Sequence, residues 1–421
     1  MGGRRDETVS NRTVLALIAV EFTALGSLAA PLTLGLALKA TEIRTEWTPE
    51  QTLSLVTALG AASALVANPA FGALGDRWRD REPGRALWVL LGVLGGVAAV
   101  FAVVRSQDLV TLTVGWCLAQ AAFNATFAGL YGLIGDHVPE RDRPRVSGWF
   151  GAAALFSVVA ALGMAAVLPK EAAWVMAPMP ILAVPTACFA FRHLRRLTPS
   201  SAEASPRVQA GRRTASRDYW LVWIQRALVQ LAYGLMAGYG LFFLMRRGDL
   251  PQDAAATWVA VTAALAALVS AAASAWCGHA ARHGRYTRPV VVAVVLLAGA
   301  ATLKSISVAP VGYVLAMLVA GAGIGAYYAV DLALVLRTIP AGRAGLFLGW
   351  FNIARTLPQS LAPAVAPALL AIGGRDLVGS SSQNYAALYG AGALIALISL
   401  VPLRWIRTLD RPTPVERVTP P

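Results

Sequence analysis

The sequence predicts an all-α polytopic membrane protein, with twelve transmembrane helices in two pseudo-symmetric six-helix bundles. Three observations predict it. First, 57% of the 421 residues are apolar and 14% charged, with a mean hydropathy of +0.59. A soluble domain carries about 25% charged residues and would hold roughly 105 at this length; this chain holds 36 basic and 22 acidic ones. Second, apolar runs near the ~20 residues that span a bilayer recur twelve times. Third, motifs of the first half return in the second, displaced by 200 or 201 residues. Soluble, disordered and collagen-like chains are excluded.

The first run, 14–38, follows Arg4, Arg5 and Arg12 and so imitates a secretory signal. Its 25 residues outlast the roughly 7–15 of a signal's apolar core, so it is a span. The run 52–75 contains Asn68-Pro69, a kink site, and 86–104, 109–135, 147–168 and 172–191 complete the first half. The second half supplies 218–244, 254–277, 289–308, 310–336, 345–371 and 384–403. Lys304 and Pro310 mark the narrow break between the ninth and tenth runs. Gly321, Gly323 and Gly325 allow close helix contact in the tenth, and Pro358, Pro363 and Pro367 are kink sites in the eleventh. The runs lack the dyad alternation of a membrane barrel. Cys117, Cys188 and Cys277 all lie in apolar runs and form neither a disulfide framework nor a metal pattern.

The net charge of +14 orients these spans. With both termini inside, the inner segments hold 26 of the 36 basic residues, the outer connections 8, and the spans two, Arg226 and Arg355. That bias is the positive-inside pattern of a multi-pass protein of the cell (inner) membrane with cytoplasmic termini. Inner segments hold 12 acids, so their net charge, 26 − 12, is the whole +14. A surplus that alone suggests nucleic acid is thereby absorbed by topology, and no nucleic-acid partner is expected.

Residues 199–217, rich in Pro, Ser and Arg, read as a cytoplasmic linker between an N-terminal bundle, 1–198, and a C-terminal bundle with a short tail, 218–421. A basic lipid-facing stretch that adds to topology is an equally compatible reading of the linker. The bundles look duplicated. Pro139 precedes Gly148-Trp149-Phe150 at the spacing with which Pro340 precedes Gly349-Trp350-Phe351, and Gly84-Arg85 returns as Gly284-Arg285. Two parallel repeats of six helices place a substrate site between them near the midplane.

Gly72-Ala-Leu-Gly-Asp76-Arg77 followed by Gly84-Arg85, between the second and third runs, resembles the loop signature of the major facilitator superfamily. Six residues separate Arg77 from Gly84 where the family has one, so the loop is expanded. With twelve spans and the duplication, the resemblance covers essentially the whole chain. It implies a cytoplasmic gate of Gly72, Asp76, Arg77, Gly84, Arg85 and Asp136. In it, Asp76 meets the positive end of a facing helix and the two arginines hold Asp136. In the second half, Ala281 to Arg285 keeps the spacing without the acid, and Arg337 stands where Asp136 would recur. Tyr327-Tyr328-Ala-Val-Asp331, Gly349-Trp-Phe-Asn352, Arg355 and Pro358-Gln359 are similar to the sugar-carrier-like branch, relatives of sucrose and melibiose cotransporters. The Gly-Pro signature of drug–proton antiporters is missing from the fifth run.

Four charged residues fall within runs and away from their ends: Glu21, Arg226, Asp331 and Arg355. A charge at the bilayer centre costs about 2.5–3.5 kcal/mol, so each requires an interior partner. Glu21 is expected to pair with Arg226, because the first and seventh spans are symmetry mates in the resembled fold, and Asp331 with Arg355 on the next span. Two roles are open for the acids, a carboxylate that takes a proton, Asp331 first and Glu21 second, or a permanent salt bridge. Polar residues align at helical spacing around them: Gln120 and Asn124, Arg226 with Gln230 and Tyr233, Tyr327 with Asp331, and Asn352 with Arg355 and Gln359. Such stripes either line a pocket for a hydroxylated solute or bond between helices.

The resulting expectation is a secondary active transporter of a small, sugar-like solute, working by alternating access and coupled to a proton or other ion. Proton-driven efflux of amphipathic or drug-like compounds is the competing reading. No cofactor, metal or enzyme activity is expected, for there is no Walker sequence, HExxH or GxSxG and no histidine within a run. The other partners are the lipid bilayer and the solute itself, with a monomer as the default.

Overall fold

The computed structural model describes residues 10–77, 84–138, 143–195, 216–280, 286–336, 338 and 344–406. Among them there is no strand, and helices fill all twelve expected spans. We number them α1 (Asn11–Glu42), α2 (Pro49–Arg77), α3 (Gly84–Arg105), α4 (Leu109–His137), α5 (Arg143–Val167) and α6 (Ala172–Leu194) in the first half. The second half holds α7a (Arg217–Ala237), α7b (Gly240–Arg246), α8 (Gln252–Ala280), α9 (Thr287–Ile306), α10 (Pro310–Leu336), α11 (Ala344–Leu370) and α12 (Tyr385–Trp405). Nine of these are long and apolar enough to cross a membrane within the described residues, and α7a with α7b, bent by 42° at their break, makes a tenth. The linker expected at 199–217 falls almost wholly outside the described residues.

Side chains on the connections start the helices. Ser10, Asp108, Ser216 and Asn384 accept the backbone N–H of Thr13, Thr111, Tyr219 and Ala387, satisfying donors that a first turn leaves open. Asp108, outside the membrane, takes both the backbone N–H and the hydroxyl of Thr111, which hold its carboxyl below the usual range. Pro31 cannot donate to the helical ladder, and α1 passes it by widening into a π turn over Pro31–Gly35. Helices α2 and α11 run on through Pro69 and through Pro358, Pro363 and Pro367.

The chain packs as two compact units, Met1–Arg207 with Tyr239–Ala264, and Val208–Gly238 with Leu265–Pro421. In the first, α1 lies on α5 and α6, and α3 lies on α4 and α6. In the second, α7a lies on α11 and α12, and α9 on α10 and α12. Each pairing recurs six helices later, as a duplicated unit requires. The motif that announced the duplication behaves alike in both copies: Trp149 and Trp350 are exposed, Phe150 and Phe351 buried.

The glycines of α10 allow close helix contact, as their spacing suggests. A Cβ at Gly321 or at Gly325 would collide with the backbone of Ala266 or of Ser270 on α8, and one at Gly323 would press on Ala293 of α9. Without water to hydrogen-bond, tight packing is a main source of helix association in lipid. Lys304 departs from expectation. The sequence places it at a break, but α9 runs on to Ile306 and Lys304 is fully buried among side chains and backbone of neighbouring helices.

Substituting Gly325→Val should lower the thermal midpoint of the detergent-purified protein, overpacking of this kind costing about 1–3 kcal/mol. Gly299→Ala, where a Cβ meets nothing within 4 Å, should leave the midpoint unchanged or slightly raised.

Candidate functional site

Among the described residues, the second unit holds a buried polar group within its helices. Arg226 on α7a and Asp331 on α10 form an ion pair, Nη1 to Oδ2 at 2.7 Å, with both side chains under 10% exposed. The Arg226 guanidinium also lies over the ring of Phe351 on α11, 3.9 Å from its centroid. Three helices are thereby tied at one point by a charge pair and a cation–π contact. One turn away, the Tyr327 hydroxyl donates to Oε1 of Gln225 at 2.7 Å, and the Gln230 amide donates to the Tyr328 hydroxyl at 3.1 Å. Tyr233 packs against the same core.

These contacts correct the expected pairing. Arg226 engages Asp331 rather than Glu21, since its partner comes from a helix of its own unit. Arg355 is exposed and forms no direct pair with Asp331; it lies only within electrostatic reach of that carboxylate. The side chains of Asn352 and Gln359 lie outside the described residues.

Glu21 anchors a counterpart in the first unit. Its Oε1 accepts the Tyr131 hydroxyl of α4 at 3.1 Å, and Tyr131 stands 6.3 Å, centroid to centroid, from Phe150 of α5. Its other oxygen, Oε2, is buried with no hydrogen-bond partner among the described residues. Near it the stripe of α4 serves helix contacts: Asn124 accepts the Asn68 amide of α2 at 3.2 Å and donates to the Gln120 carbonyl at 2.8 Å, while Gln120 itself is buried.

The two groups correspond helix by helix: Phe150 and Phe351 are separated by 201 residues, Tyr131 and Asp331 by 200, and Glu21 and Arg226, on equivalent first helices, by 205. In the second unit, base and acid neutralise each other; in the first, an acid meets a neutral phenol. Burying a charge without a partner is costly, so the first unit's carboxylate is chemically incomplete as it stands. It is suited to accept a proton or another positive group.

Sequence reasoning missed Gln225, Tyr131, Phe351 and Tyr328 as contacts. Gln225 neighbours Arg226 and so falls off the stripe it was read on, although a buried glutamine in an apolar run is itself a signal. Tyr131 carried none, an aromatic being ordinary in a span.

Of the gate residues, Gly84 begins α3 with a φ of 51°, a conformation that favours glycine. Arg85 crosses α4 at Gly132, where any Cβ would overlap its guanidinium, one turn before Asp136. Gly72 has open space around it. The side chains of Asp76, Arg77 and Asp136 lie outside the described residues.

Comparison with known proteins agrees with this architecture. The sequence profile of the Major Facilitator Superfamily matches residues 14–363. Among solved structures, the chain superposes on the nucleoside transporter NupG with a TM-score of 0.69 at 12% identity, covering 94% of this chain and 100% of that one. It superposes on the peptide transporter POT in complex with sulfate with a TM-score of 0.70 at 13% identity, covering 97% of each. A bacterial homologue of the human lysosomal transporter Spinster, in its inward-facing unoccupied conformation, gives 0.70 at 14%, covering 98% and 100%. At such identities the likeness is one of fold. No curated protein sequence matches the chain.

Asp331→Asn should leave the Arg226 charge buried and unmatched and destabilise the purified protein by about 3–5 kcal/mol. The double variant Arg226→Met with Asp331→Leu should regain most of that loss in the same thermal unfolding measurement.

Proposed function

The chain belongs to the Major Facilitator Superfamily and carries a small solute across a membrane, and from that premise we propose that it is a secondary active transporter whose coupling residues are Arg226, Asp331 and Glu21. The observation that carries the proposal is the buried Arg226–Asp331 pair. A pair held by three helices breaks when those helices part, and a carboxylate that loses its arginine in a low-dielectric interior takes up a proton. Proton binding and helix movement are thereby coupled in one event. Glu21, already lacking a partner for Oε2, is the second site at which positive charge is taken up.

The two bundles, 1–198 and 218–421, joined by 199–217, alternate access to the solute. The arginine-rich segments and both termini face the cytoplasm, as the 26 basic residues assigned to that side support. The solute is small and polar, a sugar-like molecule being the best fit to a site edged by the amides of Gln225 and Gln230 and the phenols of Tyr327 and Tyr328. Most of those groups bond to one another, but Nε2 of Gln225 is buried with no hydrogen-bond partner among the described residues, so a solute hydroxyl has an open donor to accept from. The protein works as a monomer and requires no cofactor.

Thermal-shift screening of the purified protein against sugars, amino acids and drug-like cations should return a polar solute whose stabilisation weakens in Gln225→Ala and Asp331→Asn. Reconstituted in liposomes, Asp331→Asn should lose accumulation driven by a pH gradient while retaining solute exchange. Accumulation with unchanged pH dependence would remove Asp331 from the coupling role, and a stabilising ligand indifferent to both substitutions would move the site elsewhere.

A further inference from the structure

The chain has 36 basic residues, of which only Lys39, Lys170 and Lys304 are lysines. Two of them bond backbone carbonyls at helix ends. Lys170 donates to Ala165, Ala166 and Leu168 at 2.6–2.8 Å, closing the end of α5. Lys304 is fully buried on α9, and its ammonium donates to the Met236 carbonyl at 2.7 Å, in the last turn of α7a. That ammonium also stands 4.7 Å from the ring centroid of Tyr313, 4.3 Å from that of Tyr389, and 3.8 Å from the Met317 sulfur. The Tyr389 hydroxyl donates to the Gly238 carbonyl at 3.4 Å.

These contacts meet the chain at one place. Helix α7a ends at Ala237, Gly238 is extended, and Tyr239 sits at a φ of 65°, a left-handed conformation strained for a tyrosine. The same place is where the chain leaves one compact unit and enters the other, between Gly238 and Tyr239. Beyond it the chain is held separately: Tyr239 bonds Ser54, and Arg246 makes a two-point ion pair with Glu50. A helix end with open carbonyls inside a membrane needs internal donors. An ammonium both supplies a donor and opposes the negative end of the helix dipole. Aromatic faces shield such a cation without competing for its hydrogen bonds.

We propose that Lys304 is the positioning residue that fixes where span α7 bends. Its ammonium clamps the Met236 carbonyl at the end of α7a, Tyr389 clamps the Gly238 carbonyl two residues on, and the bend is thereby confined to Gly238–Tyr239. The ammonium is compact enough to enter between two tyrosine rings, where the broad fork of an arginine is poorly accommodated. That the bend serves transport rests on the functional reading above; that Lys304 sets the bend does not.

Hydrogen exchange of the full-length protein in nanodiscs, read by mass spectrometry, tests it without any solute. Lys304→Met keeps the length and apolar stem and removes the cation. Amides over 232–244 should then exchange about tenfold faster or more, while those over α4 stay at the wild-type rate. Tyr389→Phe, which keeps the ring and loses the Gly238 bond, should raise exchange in the same peptides by a smaller factor. Wild-type exchange over 232–244 in Lys304→Met overturns the proposal, as does acceleration spread evenly over all helices. Should Lys304→Met fail to fold, wild-type exchange in Tyr389→Phe overturns it.

Discussion

Inside a bilayer every polar group must find its partner within the protein, because lipid offers none. That constraint shapes each feature described above. It makes the chain helical, since a helix satisfies its own backbone. It brings Arg226 to Asp331 and places Lys304 on the open carbonyl of Met236.

The same constraint gives an imperfect duplication its meaning. Both units carry a polar residue on their first helix bonded to another on the fourth, with a buried phenylalanine on the fifth that touches the first-helix residue in one unit and the fourth-helix residue in the other. The backbone frame repeats closely enough that Trp149 and Trp350 point outward and Phe150 and Phe351 inward. Charge does not repeat. The first-helix residue is an acid in one unit and a base in the other, and the fourth-helix residue is a tyrosine in one and an acid in the other. Packing has kept the frame while the charges within it have diverged, so one unit closes a neutral pair and the other keeps an open carboxylate.

Legibility followed from how local each signal was. The spans were readable because twenty apolar residues in succession have one physical meaning. The close approach of α10 to its neighbours was readable from Gly321, Gly323 and Gly325, since a missing side chain announces contact whatever lies opposite. Glu21, Arg226, Asp331 and Arg355 were found as residues but not as pairs. Charge count alone permits Glu21–Arg226 as readily as Arg226–Asp331, and the choice is made by which helices pack together. Lys304 was misplaced because hydropathy treats a lysine as a membrane boundary, and a cage of Tyr313 and Tyr389, from two other helices, is what reverses that. Gln225 escaped because a helical stripe is one residue wide, whereas a site is built from several helices. The gate motif gave positions, of which Gly84 and Arg85 have a structural reason in the backbone turn and in the space over Gly132.

The buried cations are secured in different ways, and the difference bears on what each can do. Arg226 depends on a carboxylate from another helix, so its neutrality lasts only while α7a and α10 stay together. Lys304 depends on a backbone carbonyl and on ring faces, groups whose charge does not change. On the proposed coupling role a proton can take the place of the arginine on Asp331, whereas the Met236 carbonyl and the tyrosine rings around Lys304 offer no carboxylate to protonate. Both bear on α7, Arg226 three turns before its break and Lys304 at its last turn. Taken together, the two proposals give α7a an exchangeable contact along its length and a positioning contact at its end, so that a change at the first is transmitted as rotation or tilt about the second.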